Sequence, residues 1–141
     1  MLHDLLRGKL FGHPIHVMLV HFPAALLPLA AALDTLKVFA HLEFAMDTKV
    51  ILWPGVALGF LAACFGLWDL VRLRSASKEM SVALVHGGIN ACAVAGFTWA
   101  IFIADVNLRV TIEIICTLVI LIGNKFGGDL IFRYAVGGVE R

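Results

Sequence analysis

Four long apolar stretches, separated by short polar connections, make up most of this chain. They cover residues 16–38, 51–73, 81–104 and 106–126. About 20 mostly apolar residues suffice to cross roughly 30 Å of hydrocarbon, and in lipid such a segment must be helical to pair its own backbone groups. The connections, 39–50, 74–80 and a turn at 105–109, are short enough to make sequential helices antiparallel neighbours. The pattern therefore predicts an all-α membrane protein: an up-down bundle of four transmembrane helices forming one domain over residues 1–141, with no internal repeat.

Composition sharpens the picture. Of 141 residues, 61% are hydrophobic and 15% charged, against about 45–50% and 25% in a soluble domain. Mean hydropathy is +0.96. The net charge of +1 supplies no clustered basic face, so nucleic acid is not an expected partner. The lipid bilayer is. The first twelve residues carry Asp4, Arg7 and Lys9 without a long apolar core, unlike a secretory signal.

Charge placement suggests an orientation. Arg7, Lys9, Arg72, Arg74, Lys78, Lys125, Arg133 and Arg141 fall on the side of the N-terminus, and Lys37, Lys49 and Arg109 on the other. Lysine and arginine favour the cytoplasmic side, so both termini are expected there, in a bacterial inner membrane. Cys64, Cys92 and Cys116 sit in three different apolar runs with no CxxC pair, which predicts buried free thiols. Gly55-x-x-x-Gly59 and Ala62-x-x-x-Gly66 provide small residues for close helix packing. Pro23 and Pro28 should bend the first span. Arg109 and Glu113, four residues apart, are expected to pair at the far interface, as are Lys125 and Asp129 at the near one. A contact of Glu113 with a proton or a quinol is the functional alternative.

Histidine carries the candidate chemistry. Six are present, and an ionisable side chain at membrane depth is a functional hypothesis by default. His3 and His41 fall outside the spans. His13, His16 and His21 stand at or just inside the start of the first span, and His86 about one turn inside the third. An antiparallel bundle brings these two starts to the same face. His21 and His86 are the deepest pair, roughly 7–8 Å into their spans at 1.5 Å per residue. Pro14 should hold His13 outside the helix.

Two imidazoles from different helices suit a b-type haem, whose iron takes one on each side. On this reading His21 and His86 are the axial ligands, and His16 is the first substitute for His21. Gly87, Gly88 and Gly66 would give room to the macrocycle. His13, His16, Arg72, Arg74 and Lys78 would meet its propionates, while Asp69 and Asn90 would orient a ligand ring. Two alternatives use the same residues. One is a zinc or copper site at His13, His16, His21 and His86, for binding or transport. The other is an accessory subunit without cofactor, whose histidines only pack. No Gly-x-Ser-x-Gly elbow and no phosphate loop is present, so a stand-alone nucleophilic enzyme is not expected.

The run Gly12-His13-Pro14-Ile15-His16-Val17-Met18-Leu19-Val20-His21-Phe22-Pro23 resembles the opening signature of a bacterial membrane-protein family known as domain of unknown function 2231. Gly66-Leu67-Trp68-Asp69, His86 with Asn90, and the stretch from Gly127-Gly128-Asp129-Leu130 through Tyr134 and Gly137 resemble its later motifs in order. Val17 stands where the family often has a second proline, and Ala135 and Gly138 interrupt its usual ending. The resemblance implies four helices and a role for His13, His16, His21 and His86, and supplies no chemistry. The expected function is electron transfer, with quinone or within a larger respiratory complex or homo-oligomer.

Overall fold

A computed structural model describes residues 9–10 and 13–136. The cations Arg7 and Arg141 and the glycines Gly137 and Gly138 lie outside the described residues. A two-residue antiparallel ladder, β1 (Lys9–Leu10) with β2 (His13–Pro14), precedes five helices. These are α1 (Ile15–Leu19), α2 (His21–Phe39), α3 (Lys49–Leu70), α4 (Lys78–Phe102) and α5 (Val106–Phe132). α1 and α2 run on as one span, Ile15–Phe39. The interruption at Val20 has a plain cause: Pro23 has no N–H to give the Leu19 carbonyl. The backbone stays helical there, with Val20 at φ −61° and ψ −21°. Each of the four spans is long and apolar enough to cross a membrane.

Side-chain caps set two of the starts. Ser77 accepts from the Met80 N–H at 3.1 Å to begin α4, and Asp105 accepts from the Leu108 N–H at 2.9 Å to begin α5. The last helix continues to Phe132, six residues beyond the expected end. Asp129 there pairs with Arg133 at 3.7 Å rather than with Lys125, whose amine lies over the Phe126 ring.

Each span packs on its sequence neighbours, and α2 also packs on α5, closing a four-membered ring. The core along its axis comprises Leu27, Ala30, Leu52, Val56, Ala93, Phe97, Cys116 and Ile120 among others. Apolar side chains also cover the outside. Phe39, Val71, Phe102 and Phe132 are largely exposed, as lipid-facing positions are in a membrane bundle. Cys116 is buried, but Cys64 and Cys92 are exposed on that apolar exterior, a correction to the expectation for all three.

A structural repeat exists where the sequence displays none. α2 buries Pro23, Leu27, Ala30 and Ala31, and α4 buries Ala93, Phe97, Ala100 and Ile101 at the same spacing. α3 buries Leu52, Gly55, Gly59 and Ala62, and α5 buries Glu113, Cys116, Ile120 and Gly123, again at the same spacing. Most buried positions of the two helical hairpins thus share one spacing with different side chains, while Asp34 has no buried counterpart, Ala104 being exposed.

Glycine permits the closest approaches. A Cβ on Gly55 would stand 2.7 Å from Leu27 Cδ2, and one on Gly96 would collide with Cys116 Sγ. Gly96→Ala should therefore cost about 1–3 kcal/mol, the usual penalty of overpacking. Thermal unfolding in detergent reads the loss, and adding Cys116→Ala should restore most of it. A single variant as stable as the parent would show that α4 and α5 can part without cost.

Candidate functional site

His16 lies on α1 and His86 near the start of α4, so they approach across the bundle from its first and third spans. Their ring centroids are 6.3 Å apart and the ring planes are nearly perpendicular, at 83°. Both rings are half-buried.

Each imidazole is fixed in the same way by the partner helix of its own hairpin. His16 Nδ1 lies 2.8 Å from the Ala62 carbonyl oxygen on α3, and His86 Nδ1 lies 2.8 Å from the Gly123 carbonyl oxygen on α5. A carbonyl only accepts, so each Nδ1 carries the proton and donates it. In the neutral ring Nε2 then keeps its lone pair, the form in which histidine binds a metal. Four residues beyond each carbonyl stands the glycine on which the ring rests. A Cβ on Gly66 would come within 2.9 Å of His16 Cε1, and one on Gly127 within 2.8 Å of His86 Cε1.

Asn90 completes the second half of the arrangement. Its amide nitrogen donates to the His86 carbonyl at 2.9 Å. The same nitrogen is 3.2 Å from His86 Nδ1, but that atom already donates to Gly123, so this contact is crowding between two donors. Gly123 accommodates Asn90 closely, since a Cβ there would collide with the amide. Asp69 is half-buried and lies within electrostatic reach of both His16 and Arg72. Arg72 is exposed just beyond α3, its guanidinium 5.6 Å from the Trp68 ring centre.

Several expectations need correction. His21 is exposed, and the ring that meets His86 is that of His16. His13 is also exposed, in the short ladder ahead of α1, where Pro14 holds it off the helix. The four histidines therefore do not gather at one point. Gly87 and Gly88 are exposed, with nothing within 4 Å of a Cβ at either position, so they do not shape the space between the rings. The glycines that lie against the rings are Gly66, under His16, and Gly127, under His86. Among the described residues, no three His, Cys, Asp or Glu side chains form a group able to hold a metal ion.

At the opposite end lies a polar cluster whose central residue, Asp34, the sequence reading overlooked. Asp34 is fully buried and accepts from Thr48 Oγ1 at 2.6 Å. Arg109 Nη2 stands 2.9 Å from Asp34 Oδ2, an attraction of charges without a well-aligned N–H. Arg109 Nε is 3.9 Å from Glu113 Oε1, so the expected Arg109–Glu113 pair is the looser of the two. A lone acid inside an apolar span was the available signal for Asp34.

Comparison with known proteins returns one family. No curated protein and no solved structure matches the chain. The model of a family described as predicted membrane protein (DUF2231) matches residues 12–140, which hold the histidine pair, all four spans and the far cluster. The chain belongs to that family.

Proposed function

We propose that this DUF2231 member is a membrane electron-transfer protein that holds one b-type haem between His16 and His86. The observation that carries the reading is the matched pair of imidazoles, each with Nδ1 tied to a backbone carbonyl and Nε2 left to bind. Two rings that meet one ion in line, at about 2.0–2.1 Å from each nitrogen, stand roughly 6 Å apart between centres, and the ring centres here are 6.3 Å apart.

The number of donors favours haem over a bare ion. A zinc site asks three or four ligands of the protein, whereas haem would bring its own ring nitrogens and ask only two side chains of the chain. When bound, the group supplies one-electron transfer without an open coordination position. The residues of the chain orient the ligands: Ala62 and Gly123 set the tautomer, Gly66 and Gly127 seat the rings, and Asn90 buttresses His86. Arg72 and Lys78, at the same end of the bundle, are the cations for the propionates.

The excess of Lys and Arg in the sequence at this end supports a cytoplasmic setting for it in a bacterial inner membrane. A single haem near one face cannot carry an electron across the bilayer, so a quinone or a larger redox complex completes the path. The visible spectrum of the purified protein tests the reading. A Soret band that shifts and a visible band that sharpens on reduction are expected. A colourless, metal-free preparation that still works would end the proposal, and stoichiometric zinc or copper without colour would replace haem with an ion.

A further inference from the structure

The polar cluster at the end opposite the histidines has no part in holding haem. Asp34, Thr48 and Glu113 are buried there to 1% exposure or less. Asp34 has the Thr48 hydroxyl on one oxygen and the Arg109 guanidinium 2.9 Å from the other, though without an aligned N–H. Lys37 Nζ stands 3.9 Å from Asp34 Oδ1 and donates to the Met46 carbonyl at the rim.

Glu113 is not so provided. Neither of its oxygens has a hydrogen-bond partner, and neither has Arg109 Nε, 3.9 Å away. The groups that face it are few. From α2 come Asp34 and, farther out, Lys37; the residue just before α3 offers the neutral Thr48; its own helix adds Arg109 and Cys116. The buried residues of α4 are Ala93, Phe97, Ala100 and Ile101, all apolar. Two carboxyl groups thus share one inner guanidinium, which lies closer to Asp34. A buried carboxylate without a partner is costly in an apolar interior, and a bound proton removes that cost. An N–H and a carboxyl oxygen 3.9 Å apart leave the spacing that a water bridges. Arg109 and Lys37 are the partly exposed members, at 12% and 24%, and connect the buried acids with the aqueous face.

We propose that this cluster is a proton-binding site, with Glu113 the group that takes up and releases one proton from the water on the side opposite the histidine pair. Uptake converts the carboxylate to the acid and release reverses it; no other bond changes and no electron moves. Arg109 lies 2.9 Å from Asp34 and 3.9 Å from Glu113, so the proton is assigned to Glu113.

Infrared spectroscopy of the full chain in liposomes, without added haem, tests this independently of the electron-transfer reading. At neutral pH the wild-type protein should show the carbonyl stretch of a protonated carboxyl, shifting within minutes in D2O. Glu113→Gln should abolish the band, and Asp34→Asn, which leaves Arg109 to Glu113 alone, should weaken it. Absence of the band from the wild-type protein would overturn the proposal whether or not either variant folds. So would a band that never shifts in D2O, or one that persists in Glu113→Gln.

Discussion

His16→Ala and His86→Ala should each abolish the reduced-minus-oxidised spectrum, while His21→Ala should leave it in place. Changing a residue that merely orients a metal ligand costs about 10–100-fold in affinity, so removal of the ligand itself should cost at least the upper end of that range. The two variants are expected to behave alike because the two rings are held alike, each by a carbonyl at 2.8 Å and a glycine that admits no Cβ. His21 has no such seat and is exposed. Haem content per protein, measured after purification under equal haem supply, gives the answer. Loss of colour in His21→Ala with retention in His16→Ala would restore the pair chosen on depth alone and refute the one chosen on geometry.

The largest stability effect should come from the other end of the bundle. Asp34→Ala removes the acceptor of the Thr48 hydroxyl and the nearer partner of Arg109. Removing one member of a buried ion pair costs about 3–5 kcal/mol, because the remaining charge stays desolvated. Asp34→Asn keeps an oxygen for Thr48 and should lose less. Unfolding of the cofactor-free protein in mixed detergent micelles measures both. A loss of about 1 kcal/mol or less for Asp34→Ala would mean that water enters the cluster freely and that the pair is worth no more than a surface one.

The four spans were legible in the sequence because length and apolar content decide membrane crossing. The facing of their side chains was legible in principle. In a helix, positions seven and eleven residues on share a face. His16 thereby falls in line with Pro23 and Leu27, and His86 with Ala93 and Phe97, all four of them buried. His21, two residues before Pro23, falls on the opposite side. Depth favoured His21; helical phase selects His16. The same phase takes Leu27 to Asp34, which makes that acid an inward-facing residue on the face of the core.

Other features were not legible. Gly66, Gly87, Gly88 and Gly127 are equivalent as letters, and only the rotation of each helix separates those that seat a ring from those that face outward. The repeat was hidden because the two hairpins share spacing and not residue type: Leu52 corresponds to Glu113, Gly55 to Cys116 and Gly59 to Ile120. Burial selects for shape and position, and many sequences meet the same demand.

That shared plan has a bearing on assembly. One hairpin delivers His16 and the other His86, so neither half possesses the site by itself. A guest bound through both imidazoles would act as a clasp between the two halves. It rewards only the docked form, and by mass action its concentration sets how firmly the halves stay joined.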